Sequence, residues 1–171
     1  MKQLIFRCLI LSSISLGISP IFGQSKGLEG FNNLIGKTWK ASGQWSNGTK
    51  FEQEVHFSFD LCKQIVLAET IGYIDDKQQE LGKRNHGVRL YNASTEKLEF
   101  WEFDRFGGVT NGQLMVDGNT IYYFYSYGGT DLTDCWEYID ANTYKFTVGV
   151  YNNCNWKKTY LVTEFKQKTA Q

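Results

Sequence analysis

The sequence predicts an all-β protein: about ten antiparallel strands in an up-and-down barrel, preceded by a short N-terminal helical turn. Three observations carry this. Aromatic side chains make up 16% of the 171 residues, a level that suits half-buried strands better than helices. Turn pairs such as Asn47-Gly48 and Asp117-Gly118 recur between stretches of alternating polarity, as hairpins require. The only proline is Pro20, so no later strand is interrupted.

Taken in order, residues 1–23 read as a cleavable secretory signal. Lys2 and Arg7 give a positive start, Leu9 to Ile18 a short apolar run too brief to span a bilayer, and Gly23 a small residue at the cut. Residues 24–171 then form one exported domain, secreted or periplasmic, with no membrane insertion once the signal is removed. Between Gly27 and Gly36, Leu28, Phe31, Leu34 and Ile35 recur at helical spacing, so this segment is expected to plug something larger. From Thr38 the chain reads as strand and turn in alternation. Thr38–Gln44 leads into Phe51–Phe59, where Val55, Phe57 and Phe59 alternate with Glu54, His56 and Ser58. Gln64–Ile74 follows, then a charged loop over Asp75–Asn85, expected to be the longest. His86–Tyr91, Lys97–Phe103, Val109–Val116 and Thr120–Tyr127 come next. Thr133–Ile139, Thr143–Tyr151 and Trp156–Phe165 complete the set. Short connections make sequence neighbours sheet neighbours, and closing the resulting meander buries one face and removes both edges. A two-sheet sandwich is the alternative.

Composition narrows the partners. With Lys2 and Arg7 removed from 18 basic residues against 18 acidic ones, the mature formal charge is −2. No basic run is present, which argues against nucleic acid and anionic membrane surfaces. Cys62, Cys135 and Cys154 remain after processing, none in a CxxC pair or beside histidine at ligand spacing, so zinc is not expected. The only histidines, His56 and His86, lie far from the C-terminal strands where a heme-binding barrel would place its axial ligand, so no cofactor is expected. Strand counting places Cys135 and Cys154 toward the same barrel end, which predicts one disulfide between them.

Two stretches carry a resemblance. Leu34-Ile35-Gly36-Lys37-Thr38-Trp39 followed by Gly43 resembles the glycine–tryptophan opening of calycin-type barrels, the group that holds lipocalins and fatty-acid-binding proteins. Two residues separate Gly36 from Trp39 where the lipocalin pattern has one. His86-Gly87, Tyr91-Asn92, Trp101, Asp104 and Gly107-Gly108 resemble the middle of exported bacterial lipocalin-like domains of unassigned activity. The resemblance implies a lipocalin-like barrel that binds small apolar molecules, with Trp39 closing one end.

A barrel of this size has room for packed side chains or one small ligand. With the apolar phases turned inward, Phe57, Phe59, Leu67 and Tyr73 line it, joined by Val88, Leu90, Tyr123 and Tyr125, with Trp39 and Trp101 from the two motifs. His86 shares the phase of Val88 and is expected near the rim, where it can hydrogen-bond a ligand. Glu69 shares the phase of Leu67, which puts it inside unless a bulge turns it outward; an inward Glu69 calls for a partner such as an arginine. The bland reading is that these residues fill a core. The first functional reading is sequestration of a small apolar molecule. The second is a carbohydrate- or protein-binding module in which side chains fill the barrel and Tyr122, Phe124, Trp45, Trp136 and Trp156 present exposed rings. The third is an enzyme built at the mouth around His86 and Glu69. No nucleophile elbow, phosphate loop or HExxH supports catalysis, so a non-enzyme is favoured.

Overall fold

The computed structural model describes residues 26–169; the expected signal over residues 1–23 lies outside the described residues. A 3-10 turn, Leu28–Phe31, precedes ten strands: β1 (Thr38–Gln44), β2 (Lys50–Asp60), β3 (Ile65–Tyr73), β4 (Leu81–Asn92), β5 (Lys97–Asp104), β6 (Val109–Asp117), β7 (Thr120–Tyr127), β8 (Thr130–Asp140), β9 (Thr143–Asn152) and β10 (Asn155–Gln167). Each strand pairs antiparallel with its neighbours in sequence, and β1 pairs with β10, so the sheet closes into an up-and-down barrel. The predicted fold class holds, and a closed barrel excludes the sandwich.

The predicted strands match the observed ones closely, with one correction. The stretch expected as a long loop over Asp75–Asn85 is half strand, because β4 begins at Leu81. A bulge hides it: Thr70 pairs with Asn85 but Ile71 pairs with Lys83, leaving Arg84 as the extra residue and breaking the alternation. The Arg84 guanidinium donates to the Tyr73 carbonyl and lies 5.4 Å from the Phe106 ring, which anchors the bulge.

The two ends of the barrel differ. At the end carrying the β2–β3, β4–β5, β6–β7 and β8–β9 turns, the 3-10 turn seats Leu28, Phe31 and Leu34 at 0% exposure. Gly30 is needed there, because a methyl on it would overlap Val116. Trp39 Nε1 donates to the Leu34 carbonyl (3.2 Å), and its ring meets Tyr144 edge-on at 5.1 Å. Trp136 stacks on Phe165 at 4.2 Å and meets Phe57 at 5.4 Å. These rings fill the lower half of the barrel as a conventional core. The other end, at the β1–β2, β3–β4, β5–β6, β7–β8 and β9–β10 turns, opens into a cavity.

Cys62, Cys135 and Cys154 are all free, so the expected Cys135–Cys154 bridge is not made. Cys135 lies opposite Thr147 in mid-strand, whereas Cys154 lies beyond the end of β9 at Asn152. Five residues of strand separate Thr147 from Asn152, about 16 Å at the usual rise, far beyond disulfide reach.

Candidate functional site

The upper half of the barrel holds a cavity of about 960 Å³ that reaches the mouth between Trp45, Tyr127 and Tyr160. Its walls are rings, namely Phe57, Phe100, Tyr123, Tyr125, Trp136 and Phe146. Among the polar groups that line it are Asn85 and Arg89 from β4, Glu102 from β5, Tyr123 and Tyr125 from β7, and Asp134 from β8.

Arg89 is the centre of this group. Its Nη2 is paired with Glu102 Oε1, its Nε donates to the Tyr123 hydroxyl (3.2 Å), and its guanidinium lies 5.3 Å from the Tyr123 ring and 5.8 Å from the Phe57 ring. Burial opposes the Arg89 charge, but the Glu102 carboxylate and the Tyr123 hydroxyl outweigh it and hold the guanidinium pKa above its ordinary value. Gly87 makes the pair possible. It sits directly opposite Glu102 on the same face, and a methyl there would overlap Arg89 Nη1 and Glu102 Oε1. The space of a missing side chain is thus used by an ion pair.

The pair is incompletely satisfied by the protein. Arg89 Nη1, Glu102 Oε2 and Asn85 Oδ1 are buried and have no hydrogen-bond partner among the described residues. A buried polar atom without a partner costs roughly 1–3 kcal/mol, and all three belong to residues that line the cavity. Across the lumen the Tyr125 hydroxyl donates to Asp134 Oδ1 (2.7 Å). Burial pushes the Asp134 carboxyl up to about 7, against the opposing pull of that hydrogen bond and with help from the Glu102 charge. Burial also raises the hydroxyls of Tyr123 and Tyr125, so both remain protonated donors.

Of the residues expected to line a ligand site, Phe57, Tyr123 and Tyr125 point into the cavity. Trp39 and Phe59 also point inward, but Trp39 belongs to the packed lower half and Phe59 to its margin. The remaining expectations are corrected. Leu67 and Glu69 alternate with buried Val66, Ala68 and Thr70, and therefore lie on the outer face. His86, Val88 and Leu90 alternate with buried Gly87 and Arg89, so they too face outward. Trp101 alternates with Phe100 and Glu102 and is likewise outside. Tyr73 ends β3 at the rim, beside a small recess of about 200 Å³. The mouth site imagined around His86 and Glu69 is displaced: the two are cross-strand partners, both exposed on the outer wall, with His56 on the other side of Glu69. Among the described residues no group of three or more His, Cys, Asp or Glu side chains has the arrangement to hold a metal ion.

Two of the rings expected on an exposed platform are placed differently. Trp136 is inside at 6% exposure, and Trp45 packs edge-on against Phe51 at the mouth. Tyr122, Phe124 and Trp156 are outside, with Tyr122 parallel to Phe124 within 7° and 5.8 Å from Tyr151. Thr133, Cys135 and Thr147 alternate with the inward phase here yet are at most 5% exposed, so these half-buried rings form a covering layer. Burial lifts the Cys135 thiol to about 12.

No family model matches the sequence, and no curated protein matches it. Among solved structures the chain is similar to the S-type phycobiliprotein lyase CPES from Guillardia theta, with a TM-score of 0.50 over 84% of this chain and 93% of that chain. What is shared is the barrel. At 10% sequence identity the likeness is one of fold, and it agrees with the ten-stranded closed architecture described above.

Proposed function

We propose that this protein is an exported binding protein that holds one small molecule with a ring-bearing, largely apolar body in the upper half of its barrel. The observation that carries the reading is the pairing of a cavity of about 960 Å³ with three buried polar atoms, on residues lining it, that no group among the described residues satisfies. Ligand sites combine such volume and aromatic walls with a few placed polar groups. Export is supported by the pattern of Lys2, Arg7 and the apolar run from Leu9 to Ile18. The Guillardia theta structure supports the barrel and nothing further about the ligand.

Native mass spectrometry of the protein purified from its own cells tests the reading. The expected result is a one-to-one adduct that denaturation releases, and a Thr70→Trp variant that melts cooperatively but carries none. Thr70 is buried in the cavity wall, so an indole there occupies the ligand's volume. An empty protein that also fails to bind the neutral dye Nile red overturns the reading.

A further inference from the structure

We propose that the cavity selects a ligand whose polar head is uncharged and presents an acceptor beside a donor, as a carboxamide does, and that it rejects carboxylate heads. The inference rests on the binding reading above and specifies the chemistry of the same site.

The unpartnered atoms set the requirement. Arg89 Nη1 is a donor, while Glu102 Oε2 and Asn85 Oδ1 accept. The side chain of Arg89 is 6% exposed and lines the cavity, so its free N–H is turned away from bulk solvent. A head that accepts from Arg89 Nη1 and donates to Glu102 Oε2 completes the pair on both sides. A carboxylate satisfies only the first demand. It approaches a guanidinium whose charge Glu102 already neutralises, and it brings its own negative charge against the free oxygen of that same residue. Asp134 is a second acid facing the lumen, with its Oδ1 already taken by Tyr125. An ammonium head meets the converse difficulty, since it donates to the acceptors but has no acceptor to offer Arg89 Nη1. The cations nearer the mouth do not change this balance. Arg84 is held at the Tyr73 carbonyl, and Lys158 lies over the Tyr160 ring.

Displacement of Nile red by a matched series tests the inference: naphthamide, naphthoate and naphthylmethylamine, which share one ring body and differ in the head. Naphthamide is expected to displace the dye from the purified protein at a concentration at least about tenfold below either charged analogue. Glu102→Gln, which keeps the shape but removes the negative charge, is expected to bring naphthoate to within about threefold of the amide. The wild-type ranking stands without the variant, so a folding defect in Glu102→Gln leaves the inference testable. Naphthoate or naphthylmethylamine matching or surpassing the amide on the wild-type protein overturns head-group selection while the binding reading survives. Absence of Nile red binding by a protein that also carries no adduct overturns the binding reading, and this inference with it.

Discussion

Replacing Asp134 by asparagine should abolish a pH dependence of stability that the lumen imposes. The carboxyl is lifted from 3.8 to about 7 because burial penalises its charged form. In the unfolded chain it ionises near the ordinary value, so between pH 4 and pH 7 the folded state holds a proton that the unfolded state has released. Stability therefore falls as pH rises through this window, and the loss is complete once pH exceeds the folded value. Lifting the carboxyl from 3.8 to about 7 corresponds to about 4 kcal/mol at full ionisation, and water entering the open mouth reduces this to about 2–4 kcal/mol. Asparagine keeps an oxygen to accept from Tyr125 and has nothing to ionise. Urea denaturation of both proteins at pH 4.5 and pH 8 measures the effect. The variant should gain about 2–4 kcal/mol on the wild type between those two pH values. A difference between the proteins that stays constant with pH to within about 0.5 kcal/mol would refute the assignment of Asp134 as a strained lumen acid.

Two further outcomes follow from the same geometry. Gly87→Ala places a methyl where Arg89 and Glu102 meet, so the fold should survive while Nile red binding weakens at least tenfold and stability drops by about 1–3 kcal/mol. Because alanine in a strand is otherwise favoured over glycine by about 0.5–1 kcal/mol, a neutral or stabilised variant would show that the pair does not need this space. In the native protein, Cys62 and Cys154 should react with a maleimide at pH 7.5 while Cys135, buried and lifted to about 12, reacts only after unfolding. Peptide mapping of the labelled protein reads this directly, and prompt labelling of Cys135 would contradict its covered position.

The barrel was legible because hairpin turns and alternation are local signals, and Phe57, Tyr123 and Tyr125 were placed correctly by them. The phases of β3 and β4 were not. Ile65, Val66, Leu67 and Ala68 are all apolar, so a period of two has no contrast there, and choosing the larger residues for the inside reversed the strand. The structure makes the opposite choice. Ala68, Thr70, Gly72 and Gly87 face inward; Thr70 lines the cavity, and the space beside Gly87 is taken by Arg89 and Glu102. Arg89 between Val88 and Leu90, and Glu102 between Trp101 and Phe103, read singly as solvated positions. The signal that reveals them is the β4–β5 hairpin: counting back from Asn92 opposite Lys97 puts Gly87 opposite Glu102 and Arg89 opposite Phe100. Arg89 and Glu102 are then diagonal neighbours on one face, a placement that pairing arithmetic supplies and polarity alone does not.

The division of the barrel explains how it tolerates such a polar interior. A buried ion pair with free valences contributes little to stability and is often outperformed by apolar residues of the same volume. Filling the upper half with such residues would therefore stabilise the fold, and the sequence does the reverse, setting Arg89, Glu102, Asn85 and Asp134 there beside Gly87. The lower half is what permits it. The 3-10 plug, Trp39, Tyr144, Phe57 and Phe165 form a core with exposures of 0–1%, and strand closure leaves no edge to fray. One end carries stability, and the other is free to hold polar groups whose partners the fold does not supply. Positions that lower stability yet are held rigidly by their surroundings are where binding or chemistry is expected, and in this barrel they converge on Arg89.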